Sequence, residues 1–254
     1  MNHKKNFYKL LLAFSLFFVA LRSFATDFKR YNIYIIPANT ADKYIKEFDD
    51  FLAETNVLEK YKTTPFIKNH PVHLTLYLTS FESKYITDIQ NELAQIAKNT
   101  KPFYIKTIGF SARKSGFVML DIQNSQTLQQ LSNTVVKDLA KYRNKDYPVP
   151  SWVKFYPNKL KSFEKYGSPN TFAEFDPHLS ILVVDLQTDQ VRESFNKDFN
   201  EIIKITKLKP TSFKIKAIGF GEVDENGQVT KTLHIYKLNV ENCKHNFKVR
   251  KYNE

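Results

Sequence analysis

Pro71-Val72-His73-Leu74-Thr75-Leu76-Tyr77-Leu78-Thr79 is the stretch around which this 254-residue chain is organised. Apolar and polar residues alternate along it, which is the pattern of a half-buried β-strand. Because residues two apart on a strand point to the same side, we expect His73, Thr75 and Tyr77 on one face and the leucines on the other. A titratable ring nitrogen and a hydroxyl on one rigid strand can together contact a single ligand.

The same pattern returns 105 residues later, at His178-Leu179-Ser180-Ile181. A second near-repeat relates Ile105-Lys106-Thr107-Ile108-Gly109-Phe110 to Ile215-Lys216-Ala217-Ile218-Gly219-Phe220, 110 residues apart. Each half of the chain is therefore predicted to contain a histidine strand, a helix, an Ile-Gly-Phe strand, a turn and a further strand. We predict an α+β, bilobal duplicated fold in which two antiparallel sheets face a central cleft and the helices lie outside. The two histidine strands would pair in that cleft.

The first 25 residues have the composition of an export signal. Three lysines precede an apolar run over residues 10–21, and Ser23-Phe24-Ala25 has the small residues of a cleavage site. We expect cleavage after Ala25, no stable membrane insertion afterwards, and a periplasmic or secreted protein; an uncleaved anchor is the alternative. Cys243 is the only cysteine, so the chain cannot form an internal disulfide.

Residues 26–243 are predicted to form one bilobal domain, and residues 244–254 a basic tail. Between the two halves, residues 144–175 carry several prolines and no hydrophobic period. Their many aromatic residues argue against disorder, so we expect an ordered excursion with one short helix, which covers the cleft and sets specificity. Trp152 and Tyr166 of this excursion, with Tyr77 of the first strand, are candidate cleft-lining residues.

The net charge of +12, of which the first 25 residues contribute four, suggests an anionic partner such as a nucleic acid, a nucleotide or an anionic membrane. A general solubility effect is the alternative, because the lysines are scattered. The sequence contains no Cys-x-x-Cys or His-Glu-x-x-His pattern, glycine-rich phosphate loop or nucleophile elbow. We therefore expect neither a metal nor a cofactor.

Paired histidines suit the hydrolysis of a phosphodiester. The reaction needs a base to deprotonate water and an acid to protonate the leaving oxygen, and imidazole titrates near neutral pH. The hydroxyls of Thr75 and Ser180 can donate to the non-bridging phosphate oxygens as negative charge grows on them. The sequence leaves open which histidine is the base and which is the acid.

The two motifs resemble the paired His-x-Thr/Ser-x signatures of the two-histidine (2H) phosphoesterase superfamily, and the resemblance covers nearly all of the chain after residue 25. That group includes RNA 2',3'-cyclic phosphodiesterases, 2'-5' RNA ligase-like proteins and U6 RNA 3'-end-trimming exonucleases. The resemblance implies a bilobal α+β fold with a metal-independent site in the cleft. It also implies that His73 and His178 are catalytic and that Thr75 and Ser180 bind the substrate phosphate.

Together these observations predict an exported, monomeric phosphoric diester hydrolase that acts on an RNA end or a nucleotide. Its substrate would be a 2',3'-cyclic phosphate or a related phosphodiester. Two alternatives stay open. A secreted protein could use the same cleft to bind a phosphorylated ligand without turnover, and a basic surface protein could attach to an anionic membrane or polymer.

Overall fold

The structure, a computed structural model, describes residues 28–239. The predicted signal peptide, residues 1–25, and the predicted basic tail, residues 244–254, lie outside the described residues. The strands are β1 (Arg30–Pro37), β2 (Leu74–Ser80), β3 (Phe103–Ala112), β4 (Phe117–Ile122), β5 (His178–Val183), β6 (Ser212–Val223) and β7 (Val229–Lys237). The α-helices are α1 (Thr40–Glu54), α2 (Val57–Lys60), α3 (Ile86–Asn99), α4 (Gln126–Leu139), α5 (Pro157–Tyr166) and α6 (Asp189–Ile205).

All seven strands belong to one antiparallel sheet with the order β1-β2-β5-β4-β3-β6-β7. Strand β6 also pairs with β1, so six strands form a closed ring and β7 is attached to β6. The ring has two short ladders: Leu74 with Leu179 is the pair that joins β2 to β5, and four pairs join β3 to β6. These short ladders divide the sheet into two sub-sheets, one of four strands (β2, β1, β6, β7) and one of three strands (β5, β4, β3).

The α+β, duplicated architecture predicted from the repeat is confirmed, with the addition that hydrogen bonds connect the two sub-sheets. The order histidine strand, helix, Ile-Gly-Phe strand, partner strand occurs twice, as β2-α3-β3-β4 and as β5-α6-β6-β7. Each histidine strand nevertheless lies in the sub-sheet built from the other half's hairpin. The two halves are therefore interleaved, and neither could form its sub-sheet alone.

Both histidine strands contain a β-bulge at the residue after the motif hydroxyl. On β2 the register against β1 shifts so that Leu76 is the extra residue, and on β5 the register against β4 shifts at Ile181. A bulge of this kind reverses the alternation of side chains beyond it. The prediction that Tyr77 shares the face of His73 and Thr75 is therefore wrong, because the bulge turns Tyr77 to the opposite face. Tyr77 is there 1% exposed and part of the hydrophobic core.

The helices pack against that opposite, apolar face. On α1, Phe48 stacks on Phe110 of β3 with a ring-centroid distance of 3.6 Å. On α4, the hydroxyl of Ser132 donates to the backbone oxygen of Leu76 at the β2 bulge. Two helices begin where a hydroxyl caps them: Ser125 accepts from the first turn of α4 and Thr188 from that of α6.

The excursion of residues 144–175 is ordered, as predicted from its aromatic content. It contains a 3₁₀ turn at Ser151–Phe155, helix α5 and a second turn at Phe172–Glu174. Gly167 ends α5 in the left-handed region with φ 73°, where glycine is favoured. None of the helices among residues 28–239 combines the length and apolar character needed to cross a membrane.

Candidate functional site

The two motifs meet at the ladder between β2 and β5. The antiparallel pair of Leu74 with Leu179 places His73 opposite Ser180 and Thr75 opposite His178. Because the two leucines point into the core, their four neighbours share the other face. Directly opposite residues lie about 4.5–5.5 Å apart and diagonal ones about 7–8 Å. Two imidazoles on such a diagonal can reach one phosphate group from both sides.

Each histidine ring is fixed by a backbone carbonyl two residues before it. The Nδ1 atom of His73 lies 2.9 Å from the oxygen of Pro71, and Nδ1 of His178 lies 2.7 Å from the oxygen of Asp176. A carbonyl oxygen can only accept, so each neutral ring carries its proton on Nδ1. Each Nε2 is then left with a lone pair that can accept a proton. Both histidines therefore have the same tautomer.

The electrostatic surroundings of the two rings differ. The pKa of His73 is lowered to about 4, mainly by burial; the carbonyl of Pro71 partly offsets this, the positive charges of His178 and His70 add to the lowering, and the carbonyl of Gly227 opposes it. Burial also lowers the pKa of His178, but the carboxylates of Asp176 and Asp121 favour its protonated form, while Arg113 opposes it. His73 therefore resides among groups that keep it neutral, whereas His178 has two carboxylates that stabilise a positive charge.

Tyr34 of β1 holds the ring of His73 from the side. Its ring meets that of His73 edge-on at 5.3 Å between centroids, and its hydroxyl lies 2.9 Å from Oγ1 of Thr232. Gly219 makes room for the tyrosine ring, because a Cβ at this position would lie 2.3 Å from two of its carbons. The Ile-Gly-Phe repeat thus has a direct role at the site in the second half of the chain.

The hydroxyl of Thr75 is contacted by Asn32, two residues before Tyr34 on β1. The Nδ2 atom of Asn32 donates to Oγ1 of Thr75 at 2.8 Å, and the asparagine is fully buried. Beside the second motif the neighbouring strand carries an apolar residue at this point, since Met119 of β4 lies opposite Ser180. The site is therefore polar on the β1 side and apolar on part of the β4 side.

Arg113 follows β3 and lies between two carboxylates near His178. Its Nη2 atom is 2.6 Å from Oδ1 of Asp121 and 3.7 Å from Oδ2 of Asp176. Asp121 is the cross-strand neighbour of His178 on β4. The arginine thus links the two carboxylates that surround this histidine. Within the described residues no three His, Cys, Asp or Glu side chains form a group that could hold a metal ion.

Two of the three predicted cleft-lining aromatics lie away from the face of the motifs. The hydroxyl of Tyr77 donates to the backbone oxygen of Tyr166, and the Tyr166 ring packs on Phe172 at 4.6 Å, on the helix-bearing side of β2. For Tyr166 the prediction is therefore also wrong, because it anchors the excursion to the core face. Trp152 is 46% exposed with its ring against Tyr156, and its role at the cleft stays a prediction.

Three residues of the site were not singled out by the sequence: Asn32, Tyr34 and Asp121. They belong to the neighbouring strands, and only the register of those strands brings them to the motifs. Alternation on β1 was the one available signal, because Asn32 is a polar residue in an otherwise apolar strand and lies on the face of Tyr34. Without the pairing partner, that signal could not be connected to Thr75.

The chain is similar to known proteins in its sequence and in its fold. The family model described as the 2'-5' RNA ligase superfamily matches residues 47–227, which include both motifs. The solved structure of TT0787 of Thermus thermophilus has a TM-score of 0.53 and 13% identity, and the match covers 84% of this chain and 99% of that one. At such identity, this shows the fold alone.

Two further structures align over similar lengths. E. coli LigT in apo form has a TM-score of 0.48 with 14% identity, covering 83% of this chain and 98% of that one. Kluyveromyces marxianus Usb1 has a TM-score of 0.49 with 12% identity, covering 84% and 100%. None of the curated proteins matches the sequence. Because the family model spans most of the folded chain, the protein belongs to the 2'-5' RNA ligase superfamily, a membership that supports phosphodiesterase or RNA ligase-like activity.

Proposed function

We propose that the protein is a metal-independent phosphodiesterase that hydrolyses a 2',3'-cyclic phosphate or a related RNA or nucleotide phosphodiester. The supporting observation is the register of Leu74 with Leu179, which gathers two histidines and two hydroxyls on one face. In both neutral histidines Nε2 is the nitrogen that can accept a proton, because a backbone carbonyl holds each Nδ1 proton. Family membership favours this class of reaction.

In the proposed mechanism His73 is the general base and His178 the general acid. His73, which burial keeps neutral, takes a proton from water as the water oxygen attacks phosphorus. The bond between phosphorus and one ribose oxygen breaks, and His178 supplies the proton to that oxygen. Asp176 and Asp121 support the protonated form of His178 that this step requires. Thr75 and Ser180 donate to the non-bridging oxygens, where charge increases in the transition state.

We also propose that the chain is exported and that residues 1–25 are removed, which would place the enzyme in a periplasm or outside the cell. The apolar run between the lysines and Ala25 supports this proposal. Intact-mass measurement of the protein recovered from expressing cells distinguishes a chain beginning at Thr26 from one that retains Met1.

The test of the activity uses 2',3'-cyclic nucleotides and a 2'-5'-linked dinucleotide in the presence of EDTA. The wild type is expected to turn over at least one of them. His73→Ala and His178→Ala should each lower kcat by about 10²–10⁴-fold, because each removes an acid–base group. His234→Ala is the matched control, since this exposed histidine of β7 lies outside the site.

Turnover that survives in both active-site variants would overturn the assigned mechanism. Loss of turnover on adding EDTA would overturn metal independence. If the wild type binds these nucleotides without converting any of them, the protein is instead a binder of phosphorylated ligands.

A further inference from the structure

The hydroxyl of Thr75 has a dedicated hydrogen-bond donor. Asn32 lies on β1, and its Nδ2 atom is 2.8 Å from Oγ1 of Thr75. The asparagine has no exposed surface. Its Oδ1 atom is also buried and has no hydrogen-bond partner among residues 28–239. A buried amide with one unpaired end costs stability compared with an apolar side chain, so packing alone does not account for an asparagine here.

A second contact determines which end of the amide faces Thr75. The same Nδ2 atom lies 3.5 Å from the backbone oxygen of Gly227, in the turn between β6 and β7. Rotating the amide by half a turn would place Oδ1 against that carbonyl oxygen, and two acceptors repel each other. The NH₂ group therefore faces both oxygens, and Asn32 acts toward Thr75 as a donor.

This arrangement determines the direction of the threonine proton. A hydroxyl carries one proton and two acceptor lone pairs. When one lone pair accepts from Asn32, the hydroxyl proton is free to point away from β1, toward the face shared with His178. An oxygen that accepts a hydrogen bond also becomes a better donor, because such bonds polarise one another.

We propose that Asn32 is a positioning residue that orients the hydroxyl of Thr75 as a donor to the substrate phosphate. The inference rests on the proposed function, since it assigns a role in the same site. Asn32 contacts Thr75 and not the reacting atoms, so its effect passes through the threonine.

The second motif lacks the equivalent residue. Asn32 pairs with Leu78, three residues after Thr75, and the residue that pairs three residues after Ser180 is Phe117 of β4. A phenylalanine side chain cannot donate a hydrogen bond to a hydroxyl. The two hydroxyls therefore differ, and Thr75 should contribute more to phosphate binding in the transition state than Ser180.

A double-mutant cycle tests the role of Asn32. In the wild-type background, Asn32→Leu is expected to lower kcat about tenfold, the effect of one oriented hydrogen bond, with little change in KM. In the Thr75→Val background, the same substitution should lower kcat by less than twofold, because the hydroxyl it orients is gone. In the Ser180→Ala background, Asn32→Leu should again lower kcat about tenfold, because Thr75 is still present.

Thermal melting of each variant separates this role from a structural one. Asn32→Leu should melt close to the wild type, because it replaces an amide whose oxygen is unpaired. An equal loss of kcat in the wild-type and Thr75→Val backgrounds would overturn the proposal. So would an unchanged kcat in Asn32→Leu.

Asn32→Asp should change the pH dependence of kcat, which a purely structural role of Asn32 would leave unaltered. The introduced carboxylate can only accept, so it draws the threonine proton toward itself at neutral pH. Protonation of this buried carboxyl restores a donor, so kcat relative to the wild type should rise as the pH falls. A pH-independent ratio contradicts the proposal.

Failure of the proposed function is distinguishable from failure of this inference. If the wild type converts none of the nucleotides, calorimetry with inorganic phosphate replaces kcat as the measured quantity. The inference would be supported, even though the proposed reaction had failed, if Asn32→Leu bound phosphate more weakly than the wild type did. The same change in the Thr75→Val background should then leave phosphate binding unaltered. Equal weakening in both backgrounds would overturn it.

Discussion

At the scale of single residues, the two histidines share a tautomer but not an environment. The carbonyls of Pro71 and Asp176 fix the same ring nitrogen in both. Burial is the largest influence on both histidines and lowers the pKa of each, and carboxylates from two directions oppose it at His178. The two copies of the motif thus have different charged neighbours outside the motif, and unlike environments are what separates an acid from a base in a catalytic pair.

The lowered pKa values of His73 and His178 predict that the enzyme is most active at acidic pH. The base must be neutral, which for His73 requires a pH above about 4, and the acid must be protonated, which for His178 requires a pH below its lowered pKa. We expect kcat/KM for a 2',3'-cyclic nucleotide to be bell-shaped, with both limbs below pH 6.5, the ordinary pKa of histidine. The two limbs describe the pair as a whole. A rate that rises monotonically through pH 8 would contradict the assignment.

At the scale of elements, β6 supports the site from a distance. Gly219 faces the ring of Tyr34, which in turn contacts His73. Its counterpart in the first half, Gly109, faces open space, because a Cβ there would meet no atom within 4 Å. The same Ile-Gly-Phe sequence therefore has two different roles in the two halves.

Gly219→Ala should displace Tyr34 and release the His73 ring. We expect the free energy of unfolding to fall by about 1–3 kcal/mol, as for other overpacked positions, and kcat to fall as well. Gly109→Ala is the control for kcat, which it should leave nearly unchanged because its Cβ would meet no atom within 4 Å; its φ of 159° is one that side chains rarely adopt, so it should cost stability through the backbone alone. Denaturant unfolding and steady-state kinetics provide the two measurements. Equal losses of kcat in the two variants would show that the contact with Tyr34 is not the cause.

Alternation and the two near-repeats were sufficient to predict the order of elements within each half, the duplicated α+β fold and the pairing of the two histidine strands. The bulge at Leu76 could not be predicted, because Leu76, Tyr77 and Leu78 are all apolar enough to suit either face. The break between α1 and α2 could not be predicted from the sequence either. Asn56 adopts the left-handed region with φ 58°, a conformation available to asparagine that helical spacing does not reveal.

At the scale of the whole molecule, two buried groups give the fold opposite responses to pH. His73 has a folded pKa of about 4 against the ordinary 6.5, so the unfolded chain binds more protons between these values and its contribution to stability falls as the pH is lowered. Asp49 of α1 has a folded pKa of about 7 against 3.8, raised mainly by burial. Its contribution is fully present below pH 3.8 and is lost as the pH rises through 7.

Asp49→Asn should therefore stabilise the protein progressively as the pH rises from 4 to 7. Both carboxylate oxygens are buried without a hydrogen-bond partner in the described part of the chain, and the amide removes only the charge. The gain over wild type at neutral pH is expected to be on the order of 4 kcal/mol, and close to zero near pH 4. Glu54→Gln, at an exposed position of the same helix, is the control. A pH-independent difference would show that Asp49 is ionised in the folded state.

The single pair of Leu74 with Leu179 also has a mechanical consequence. One residue pair resists rotation between the two sub-sheets less than a longer ladder would, and the four motif side chains stand around that pair. At the other junction between the sub-sheets, the four residue pairs between β3 and β6 restrict this rotation. A phosphate that accepts from both hydroxyls would be a second link between the two sub-sheets at this place. Substrate binding would then stiffen the molecule at the place where the reaction needs the least movement.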